Sequence, residues 1–362
     1  MGPLTAPGTE TRSPVALTFN LLMTLMDLAG LGVMYVRRSI RWSLAVGACE
    51  AVAAAACAIL TRQGHSGIVQ LAAWALFLHG SILLAGTAVL FRRSRRRWAI
   101  AAAAGVAVMA MTAIDGFLIE PYWLEVSHLE LASPKIGHPV RIAVIADFQT
   151  DHIGPYERQV VRRVIAEKPD LVLYAGDYLQ VPYVDRAELA VDFRGLVEQI
   201  GRETSSSAFA VGGNVDGWLW TTLFDGVDVT VAARTETFQS NALDITCLSL
   251  RDSADPQLRV SRPSADRFHV VLGHVPNFAL GQVDADLLLA GHTHGGQCRL
   301  PLIGPLVTHS LIPHAWAAGV TRLPGGGRLV VSRGIGMERE YAPRCRFCCR
   351  PEVVIIDLVP GR

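Results

Sequence analysis

The chain has 362 residues, of which 51% are hydrophobic and 18% are charged. Its 33 basic and 32 acidic residues leave a net charge of +1, which argues against a general nucleic-acid-binding protein with a strongly basic surface. This length accommodates a membrane region and one sizeable folded domain. The hydrophobic excess is concentrated in the first third of the chain.

Four long apolar segments occupy that first third, after a tail of residues 1–14 that is rich in Pro, Gly and Thr and is predicted to be disordered. Each segment is close to the ~20 residues that a bilayer-spanning helix requires. A cleavable signal peptide would account for one such segment, not four. We therefore predict an all-α bundle of four transmembrane helices within residues 15–120, with spans at Val15–Val36, Ser43–Leu60, Ile68–Phe91 and Trp98–Leu118.

The connections between these segments differ in their arginine content. The first carries Arg37, Arg38 and Arg41, and the third carries five arginines between residues 92 and 97, whereas the second has a single arginine. Because basic loops stay in the cytoplasm, the first and third connections are predicted to be cytoplasmic. The protein is thus predicted to be a multi-pass protein of the cell (inner) membrane whose second part is extracytoplasmic.

Three carboxylates, Asp27, Glu50 and Asp115, lie within or near the predicted spans. Charged groups in a bilayer are costly, and they are functional hypotheses by default. Asp115 is close to an interface, and the small, Ala-rich helices offer little for a transport pathway. A structural or interfacial role is therefore favoured, and a transporter with an accessory domain is the weakest alternative for the whole chain.

The composition changes after the fourth apolar segment. Residues 121–139 are interpreted as a linker that begins with an aromatic membrane-interface anchor. From Val140 onward, short apolar strand-like runs alternate with helical stretches at Tyr156–Glu167 and Arg186–Ile200, and further strands follow. This alternation predicts a layered α/β domain with a buried mixed sheet over residues 140–362.

Five of the predicted strands are followed directly by residues of metal-binding type. These residues are Asp147 with Gln149, then Asp177, Asn214 and His274, and finally the pair His292 and His294. A glycine before the polar residue recurs in four of the five, which allows a tight turn. Because an α/β fold places its chemistry at the carboxyl ends of strands, these side chains are predicted to meet in space.

The predicted ligand set mixes oxygen and nitrogen atoms. Such a set suits Mn²⁺, Fe or Zn²⁺ better than Ca²⁺ or Mg²⁺. It contains too many ligands for one tetrahedral zinc, whereas two divalent ions about 3.5–4 Å apart and bridged by one carboxylate would use them all. Such a pair clamps a phosphate and generates hydroxide from bound water, so the predicted outcome is attack on phosphorus.

The order Asp-x-x, Gly-Asp, Gly-Asn-x-Asp, Gly-His and Gly-His-x-His resembles the motif series of the calcineurin-like metallophosphoesterase superfamily over about residues 140–358. The segment Gly-Gly-Gln-Cys-Arg-Leu-Pro after the last histidine resembles the membrane-anchored bacterial branch, which includes enzymes that act on UDP-2,3-diacylglucosamine. The resemblance implies a four-layer α-β-β-α sandwich and a metal-dependent phosphoric ester hydrolase.

Carried onto this sequence, the resemblance implies that Asp177 bridges the two metals, with Asp147 and His294 on one of them. The ligands implied for the other metal are Asn214, His274 and His292. Asp177, Asn214 and His292 are accordingly the residues expected to take part in catalysis.

Two positions depart from the family pattern. Gln149 stands where the family has a histidine, so the first metal site is expected to bind loosely, to prefer a harder ion, or to recruit the nearby His152. Val215 stands where the family has a histidine that would assist the leaving group. A good leaving group, as in a pyrophosphate or an activated diester, needs less acid help. Asp216 is then expected to be an auxiliary or turn residue.

Two further features have open interpretations. Trp218 and Trp220 follow Asn214 closely and either line an apolar substrate groove or belong to the core. The spacing Cys345-x-x-Cys348 is a weak metal signal because no second pair follows it. An extracytoplasmic domain permits a disulfide, and Cys298 with one of the three C-terminal cysteines is the pairing considered, against free or packed thiols.

The sequence thus favours a membrane-anchored dinuclear phosphoesterase that hydrolyses a phosphodiester or pyrophosphate bond. Its placement suggests a lipid-linked or cell-envelope substrate, with the membrane as its other partner. The alternative is a catalytically degenerate metal- and phosphate-binding sensor on a membrane anchor, which Gln149 and Val215 motivate. Metal content separates the two hypotheses, because catalysis needs about two ions per chain and a sensor needs one or none.

Overall fold

The computed structural model describes residues 14–61, 64–181, 186–240, 242–305, 307–339 and 342–361. The chain divides into two compact units, Met1–Leu118 with Glu340–Arg344, and Ile119–Arg339 with Cys345–Arg362. The predicted disordered tail lies outside the described residues except for its last residue, Pro14, which begins a helix.

The first unit is helical, and its helices follow the four apolar segments closely. They are α1 (Pro14–Arg37), α2 (Ile40–Leu60), α3 (His65–Ala73), which continues through a π-helical segment (Trp74–Gly80) into α4 (Ser81–Phe91), and α5 (Arg96–Ile114). Four helices of the described chain are long and apolar enough to cross a membrane, with mean hydropathies between 1.6 and 2.0. Many of their large apolar side chains are exposed, as helices facing lipid tails require.

A small polar cluster lies inside this helical unit. His79, in the π-helical segment, is fully buried, and its Nδ1 lies 2.7 Å from Oδ2 of Asp27. Its Nε2 lies 3.1 Å from Oδ1 of Asn20. Asp27 and Glu50 are both buried, so these carboxylates face neighbouring helices rather than the surrounding medium. The two carboxylates are recognisable in the sequence, whereas no local pattern marks His79 as their partner.

The second unit contains two six-stranded mixed sheets. The first has the order β1-β16-β2-β3-β4-β5. Its strands are β1 (Glu125–Ser133), β2 (Val140–Ile145), β3 (Leu171–Tyr174), β4 (Ser207–Val211), β5 (Thr230–Ala232) and β16 (Glu352–Pro360). β2 to β5 are parallel, and β16 runs antiparallel to β2 and parallel to β1.

The second sheet has the order β14-β15-β11-β9-β7-β6. Its strands are β6 (Glu236–Ser240), β7 (Leu243–Cys247), β9 (Phe268–Leu272), β11 (Leu287–Ala290), β14 (Gly319–Arg322) and β15 (Arg328–Val331). The four central strands are parallel, and the two edge strands are antiparallel to their neighbours. Two short pairs complete the strands, β8 (Arg259–Val260) with β10 (Gln282–Val283) and β12 (Arg299–Leu300) with β13 (Gly304–Pro305).

Alternation of side chains along the strands produces separate apolar layers. One set, which includes Ile142, Leu173 and Leu289, fills the space between the two sheets. The opposite face of the first sheet packs on α6 (Pro155–Glu167) and α7 (Arg186–Thr204), where Val160 and Phe193 are buried. The far face of the second sheet is covered by a short helix α8 (Leu250–Ser253) and by 3-10 segments such as Pro276–Leu280. The layered mixed α/β fold expected from the sequence is confirmed, with a thin outer layer on the second sheet.

The segment 121–139 differs from the linker expected there. It contains β1, which pairs with β16 over its whole length and extends the first sheet at its edge. Polar residues such as His128 and Glu130 alternate with apolar ones in this edge strand, which is only partly buried. It is therefore harder to recognise in the sequence than the buried apolar strands that follow it. The segment is therefore part of the folded unit.

Candidate metal centre

The loops that follow β3, β4, β9 and β11 bring four of the predicted ligands together. One ligand atom from each of Asp177, His274 and His292 lies within 4.8 Å of the others. Oδ1 of Asn214 lies 2.9 Å from Nε2 of His274 and 2.7 Å from Nδ1 of His292. Oδ2 of Asp177 lies 3.3 Å from the same Nε2. Parallel strands explain this convergence, because their carboxyl ends meet along one edge of each sheet.

Backbone carbonyls orient both histidines of this group. Nδ1 of His274 lies 2.8 Å from the carbonyl oxygen of Ala175, and Nε2 of His292 lies 3.0 Å from that of His309. An imidazole that donates one N–H to a carbonyl presents its other nitrogen as a lone pair, which is the usual arrangement of a metal-binding histidine. The carbonyl of His309 was not foreseen, because a backbone contact 17 residues away has no sequence signal.

Asp147 lies beside this group and is fully buried. Its two carboxylate oxygens lie 2.8 and 3.0 Å from the backbone N–H of His292, which donates to them, and Oδ1 lies 3.8 Å from Nδ1 of His274. The approach of the loops requires glycine, because a Cβ atom on Gly291 would lie 2.6 Å from Oδ2 of Asp147. The glycine before the histidine pair therefore serves close packing against the first carboxylate as well as the turn.

His294 is also buried, and its Nδ1 lies 3.5 Å from a guanidinium nitrogen of Arg346. Arg346 is itself fully buried and donates hydrogen bonds to backbone carbonyls of Arg333, Gly334 and Gly336. This arginine therefore ties the loop after β15 to the second histidine of the pair. It was missed in the sequence, since nothing local distinguishes an arginine among cysteines from a surface residue.

Five of the seven predicted ligands share an unusual backbone conformation. Left-handed φ angles are rare for residues with side chains and cost on the order of 1–3 kcal/mol each, and they cluster at functional sites. They occur at Asp147 (48°), Gln149 (38°), Asp177 (56°), His292 (69°) and His294 (47°). The surrounding fold therefore holds these five residues in a conformation that serves placement of their side chains at some cost in local stability.

Burial perturbs the ionisation of this group in opposite directions. Burial lowers the pKa of His292 to about 4, with the charge of His274 adding to the effect. Burial and then Arg346 lower the pKa of His294 to about 3. Burial raises the pKa of Asp147 to about 7, and Asp177 adds to it. For His274, burial favours the neutral form, but Asp177 outweighs it and raises the pKa to about 9.

These pKa shifts bear on whether the residues fit a divalent cation. Two of the three histidines remain neutral at pH 7, which is the form that binds metal. Burial disfavours the ionised form of Asp147, and a bound cation would favour that form, as the N–H of His292 and the charges of His274 and Arg346 do. Carboxylate, amide and imidazole groups thus converge in one place, with the carboxylates buried and Asn214 exposed, and together they are the donor set of a divalent metal site.

Gln149 is buried beside the cluster, and its side chain has one satisfied and one unsatisfied end. Nε2 donates to Oε1 of Gln180 at 2.9 Å and to Oε2 of Glu338 at 3.2 Å. Within the described part of the chain, Oε1 of Gln149 has no hydrogen-bond donor. A buried oxygen without a partner is costly, so this atom also fits a cation ligand. Neither Gln180 nor Glu338 was singled out in the sequence.

The proposed auxiliary residues lie in different places. The carboxylate of Asp216 accepts backbone N–H groups from Gly213, Asp177 and Tyr178 at 2.7–2.8 Å, so it acts as a buried turn residue. His152 is exposed, and its ring contacts the neighbouring Asp151, so the structure does not bring it to the cluster. Val215 contributes only its backbone N–H, which donates to Oδ1 of Asp177 at 2.9 Å.

The two tryptophans after Asn214 also separate. Trp220 stacks on Tyr178 with ring centroids 6.1 Å apart and packs against Phe224, so it belongs to the apolar layer beneath α7. Trp218 is 84% exposed. The pair therefore does not form one groove wall, and only Trp218 is free to contact a ligand.

No disulfide joins the described cysteines of this unit. Sγ of Cys298 lies 3.5 Å from Sγ of Cys345, which is the closest approach to the pairing considered from the sequence. Cys348 is exposed, and Cys349 is buried beside the backbone of His294. Among the described residues, Cys345 and Cys348 do not belong to a cluster of potential metal ligands.

Comparison with known proteins agrees with this site. The profile of the family described as calcineurin-like phosphoesterase matches residues 140–296. An uncharacterised metallophosphoesterase of Bacillus subtilis, YkuE, is 27% identical over 297 residues, covering 74% of this chain and 98% of the relative. A phosphodiesterase of Escherichia coli, YaeI, is 27% identical over 281 residues, covering 74% of this chain and 99% of the relative.

A solved structure of a dimetal phosphatase from Danio rerio aligns with 54% of this chain and 88% of its own, at 13% identity and a TM-score of 0.33. The family match begins at β2 and ends just after the histidine pair, so it includes all five strand ends that carry the predicted ligands. The chain therefore carries a calcineurin-like metallophosphoesterase domain, the domain of a metal-dependent phosphoric ester hydrolase.

Proposed function

We propose that this protein is a membrane-anchored phosphoesterase that uses two divalent metal ions to hydrolyse a phosphodiester or pyrophosphate bond. Asp147, Gln149 and His294 hold the first ion, and Asp177 bridges it to the second. The remaining ligands of the second ion are Asn214, His274 and His292. Mn²⁺, Fe and Zn²⁺ are the ions that this mixed donor set suits.

The observation that carries this proposal is the contact of Asn214 with both His274 and His292. One amide oxygen lies within 3 Å of two imidazole nitrogens whose other nitrogens are engaged by carbonyls. An amide oxygen and two imidazole nitrogens that converge in this way, beside a carboxylate, form a donor set that a divalent cation would fit. Asp177 completes the group with a carboxylate oxygen 3.3 Å from His274.

When bound, the two ions supply a nucleophile at neutral pH and neutralise charge on the phosphoryl oxygens. The residues of the chain orient and shield this chemistry. Backbone N–H groups of Val215 and His292 hold the carboxylates of Asp177 and Asp147 in place. Asp216 in turn fixes the backbone at Asp177 and Gly213.

The side chain at position 215 bears on the type of bond that is cleaved. Val215 has no proton to give to a departing oxygen, and the exposed His152 is turned to Asp151. General acid assistance contributes typically about 10²–10⁴-fold to a rate. A substrate whose leaving group is a stable anion, such as a pyrophosphate or an aryl diester, loses least when this assistance is missing. We therefore propose that class over simple alkyl monoesters.

The test is turnover of an aryl phosphodiester, an aryl monoester and a pyrophosphate diester by the purified full-length protein in detergent with Mn²⁺, Fe²⁺ or Zn²⁺. We expect turnover of the diester and the pyrophosphate to exceed that of the monoester. Metal analysis of the same preparation should give close to two ions per chain. Absence of turnover with every ion, in a folded preparation, would refute the enzymatic proposal.

The second candidate is a metal- and phosphate-binding sensor on a membrane anchor. Gln149 favours it, because an amide is a weaker ligand than an imidazole for a transition metal. In that case only the position at Asn214, His274 and His292 fills. One ion per chain, phosphate binding and no turnover would support the sensor over the enzyme.

Membrane attachment and orientation form a separate part of the proposal. Four long apolar helices support a multi-pass anchor, and the arginine-rich first and third connections support a domain outside the cytoplasm. A site held at a membrane surface suits a lipid-linked or cell-envelope phosphoester. Cys348 is exposed and offers a probe. A membrane-impermeant maleimide should label intact cells that carry the wild-type protein and not the Cys348→Ser variant, whereas labelling only after lysis would reverse the orientation.

A further inference from the structure

Gln149 occupies a metal-ligand position of the proposed dinuclear site, and its amide has two chemically different ends. Only the oxygen binds a cation, because an amide nitrogen has no available lone pair. The side chain is 1% exposed, so solvent does not select between its two orientations. Whether Gln149 acts as a ligand therefore depends on what surrounds its amide.

Three neighbours determine that orientation, beginning with a backbone group. The N–H of Arg339 donates to Oε1 of Gln180 at 2.7 Å, and a backbone N–H never accepts. The oxygen of Gln180 is thereby fixed, and its Nε2 donates to Oε1 of Glu338. The amide of Gln180 is consequently held at both ends.

The carboxylate of Glu338 then acts on Gln149. A carboxylate only accepts hydrogen bonds, so the group that faces Oε2 of Glu338 at 3.2 Å must be the NH₂ of Gln149. The same NH₂ donates to the fixed oxygen of Gln180 at 2.9 Å. With both N–H bonds made on one side, the oxygen of Gln149 is left on the other side, buried and without a donor in the described chain.

We propose that Glu338 and Gln180 are positioning residues that hold the oxygen of Gln149 toward the first metal position. This inference rests on the proposed function and adds what selects the ion there. With carboxylates from Asp147 and Asp177 and an amide oxygen from Gln149, that position has mainly oxygen ligands. Oxygen donors suit Mn²⁺ and Mg²⁺, whereas imidazole suits Zn²⁺. The first position is therefore selective for a harder cation than the second.

The substitution Glu338→Gln tests the positioning. A glutamine there presents an NH₂ in place of one of the two acceptor oxygens of Glu338, and Gln180 still needs the remaining oxygen. The amide of Gln149 then faces a donor on that side, so its oxygen is no longer held toward the cation. We expect the Mn²⁺ affinity of the first position to fall by about 10–100-fold, as is typical when a partner of a metal ligand is removed. The second position should retain its ion. Glu198→Gln, an exposed glutamate on α7, is the matched control.

The measurements are Mn²⁺ titration calorimetry and electron paramagnetic resonance of bound Mn²⁺, which do not depend on turnover. Two Mn²⁺ sites of unchanged affinity in Glu338→Gln would overturn the positioning role and leave the proposed function intact. No divalent ion bound by the wild-type protein would overturn both.

A second variant separates orientation from folding. In Gln149→His an imidazole binds through nitrogen, so amide orientation no longer matters. We expect Glu338→Gln to have little further effect on metal affinity in that background, and the ratio of Zn²⁺ to Mn²⁺ bound under competition to rise above that of the wild type. Equal losses from Glu338→Gln in both backgrounds would show a general structural defect and would contradict the proposal.

Discussion

Two buried clusters in this protein combine a carboxylate with histidine, and they differ in how the histidine is used. In the helical unit, both ring nitrogens of His79 face side chains, Asp27 at 2.7 Å and Asn20 at 3.1 Å. In the α/β unit, one ring nitrogen of each of His274 and His292 contacts a backbone carbonyl, and the other contacts Asn214. His79 is enclosed by polar side chains, whereas His274 and His292 direct ligand atoms at a common point.

The difference comes from the elements that carry each cluster. Helices place side chains around an axis, so polar groups inside a bundle meet in pairs across an interface. Parallel strands deliver side chains from several loops to one edge of a sheet, and left-handed turns aim them at a shared centre. Burial of charged residues is therefore not sufficient to indicate a metal site. The convergence of ligand atoms from several loops on one point distinguishes the α/β cluster from the helical one.

The largest effect is expected from removing the carboxylate of Asp177, which we propose to be shared by the two ions of the α/β cluster. We expect Asp177→Asn to lower turnover of an aryl phosphodiester by at least about 100-fold, the scale on which loss of one preorganised electrostatic group acts. Metal content should fall with it. Steady-state kinetics and elemental analysis check both, with the exposed Asp228→Asn as the matched control. Wild-type kinetics and metal content in Asp177→Asn would remove Asp177 from the site.

Chelation should act on one cluster alone. An ion present at about 100 times its dissociation constant stabilises a fold by about 2.7 kcal/mol, or about 5–10 °C in a unit of this size. We expect EDTA to lower the thermal midpoint of the α/β unit by this amount, followed by near-ultraviolet circular dichroism in detergent. His79→Ala should show the same EDTA shift. A shift that disappears in His79→Ala would mean that the helical cluster also binds metal.

Asp216 is a carboxylate of the α/β unit with a structural role, because three backbone N–H groups enclose it. Asp216→Asn keeps the shape but loses charge-assisted acceptance, which costs about 1.5–3 kcal/mol of stability. We expect a lower free energy of unfolding with the metal content retained, measured by denaturant unfolding and elemental analysis. Loss of metal at unchanged stability would instead make Asp216 part of the ligand set.

The smallest effect on turnover and metal content is expected from a change in the helical unit. His79→Ala removes two side-chain hydrogen bonds between helices, and such bonds contribute about 0.6–2 kcal/mol in membranes. The thermal midpoint of the protein in micelles should fall, with phosphodiester turnover and metal content unchanged. Thr24→Ala, which loses only a bond within one helix, is the control. Loss of turnover in His79→Ala with the fold intact would show that the helical cluster serves the enzyme.

Much of the site could be predicted because its residues obey a local rule. Asp177, Asn214, His274 and His292 each follow an apolar run directly, and parallel strands bring such positions together. The exposed His152 could not be excluded in this way, because its closeness to Gln149 in the sequence does not tell which way the loop turns. The sequence likewise left open whether Trp220 lines a groove or belongs to the core, and the structure packs it under α7 against Tyr178.

Residue type and short-range spacing in the sequence were enough to predict the four apolar helices, the α/β alternation and the residues that we propose as metal ligands. The tertiary structure decided how those ligands are held. Glu338, Gln180, Arg346 and the carbonyl of His309 reach the site from distant parts of the chain. A hydrogen bond selects its donor and acceptor only when both are placed, so the orientation of Gln149 and the tautomers of the histidines are properties of the folded protein.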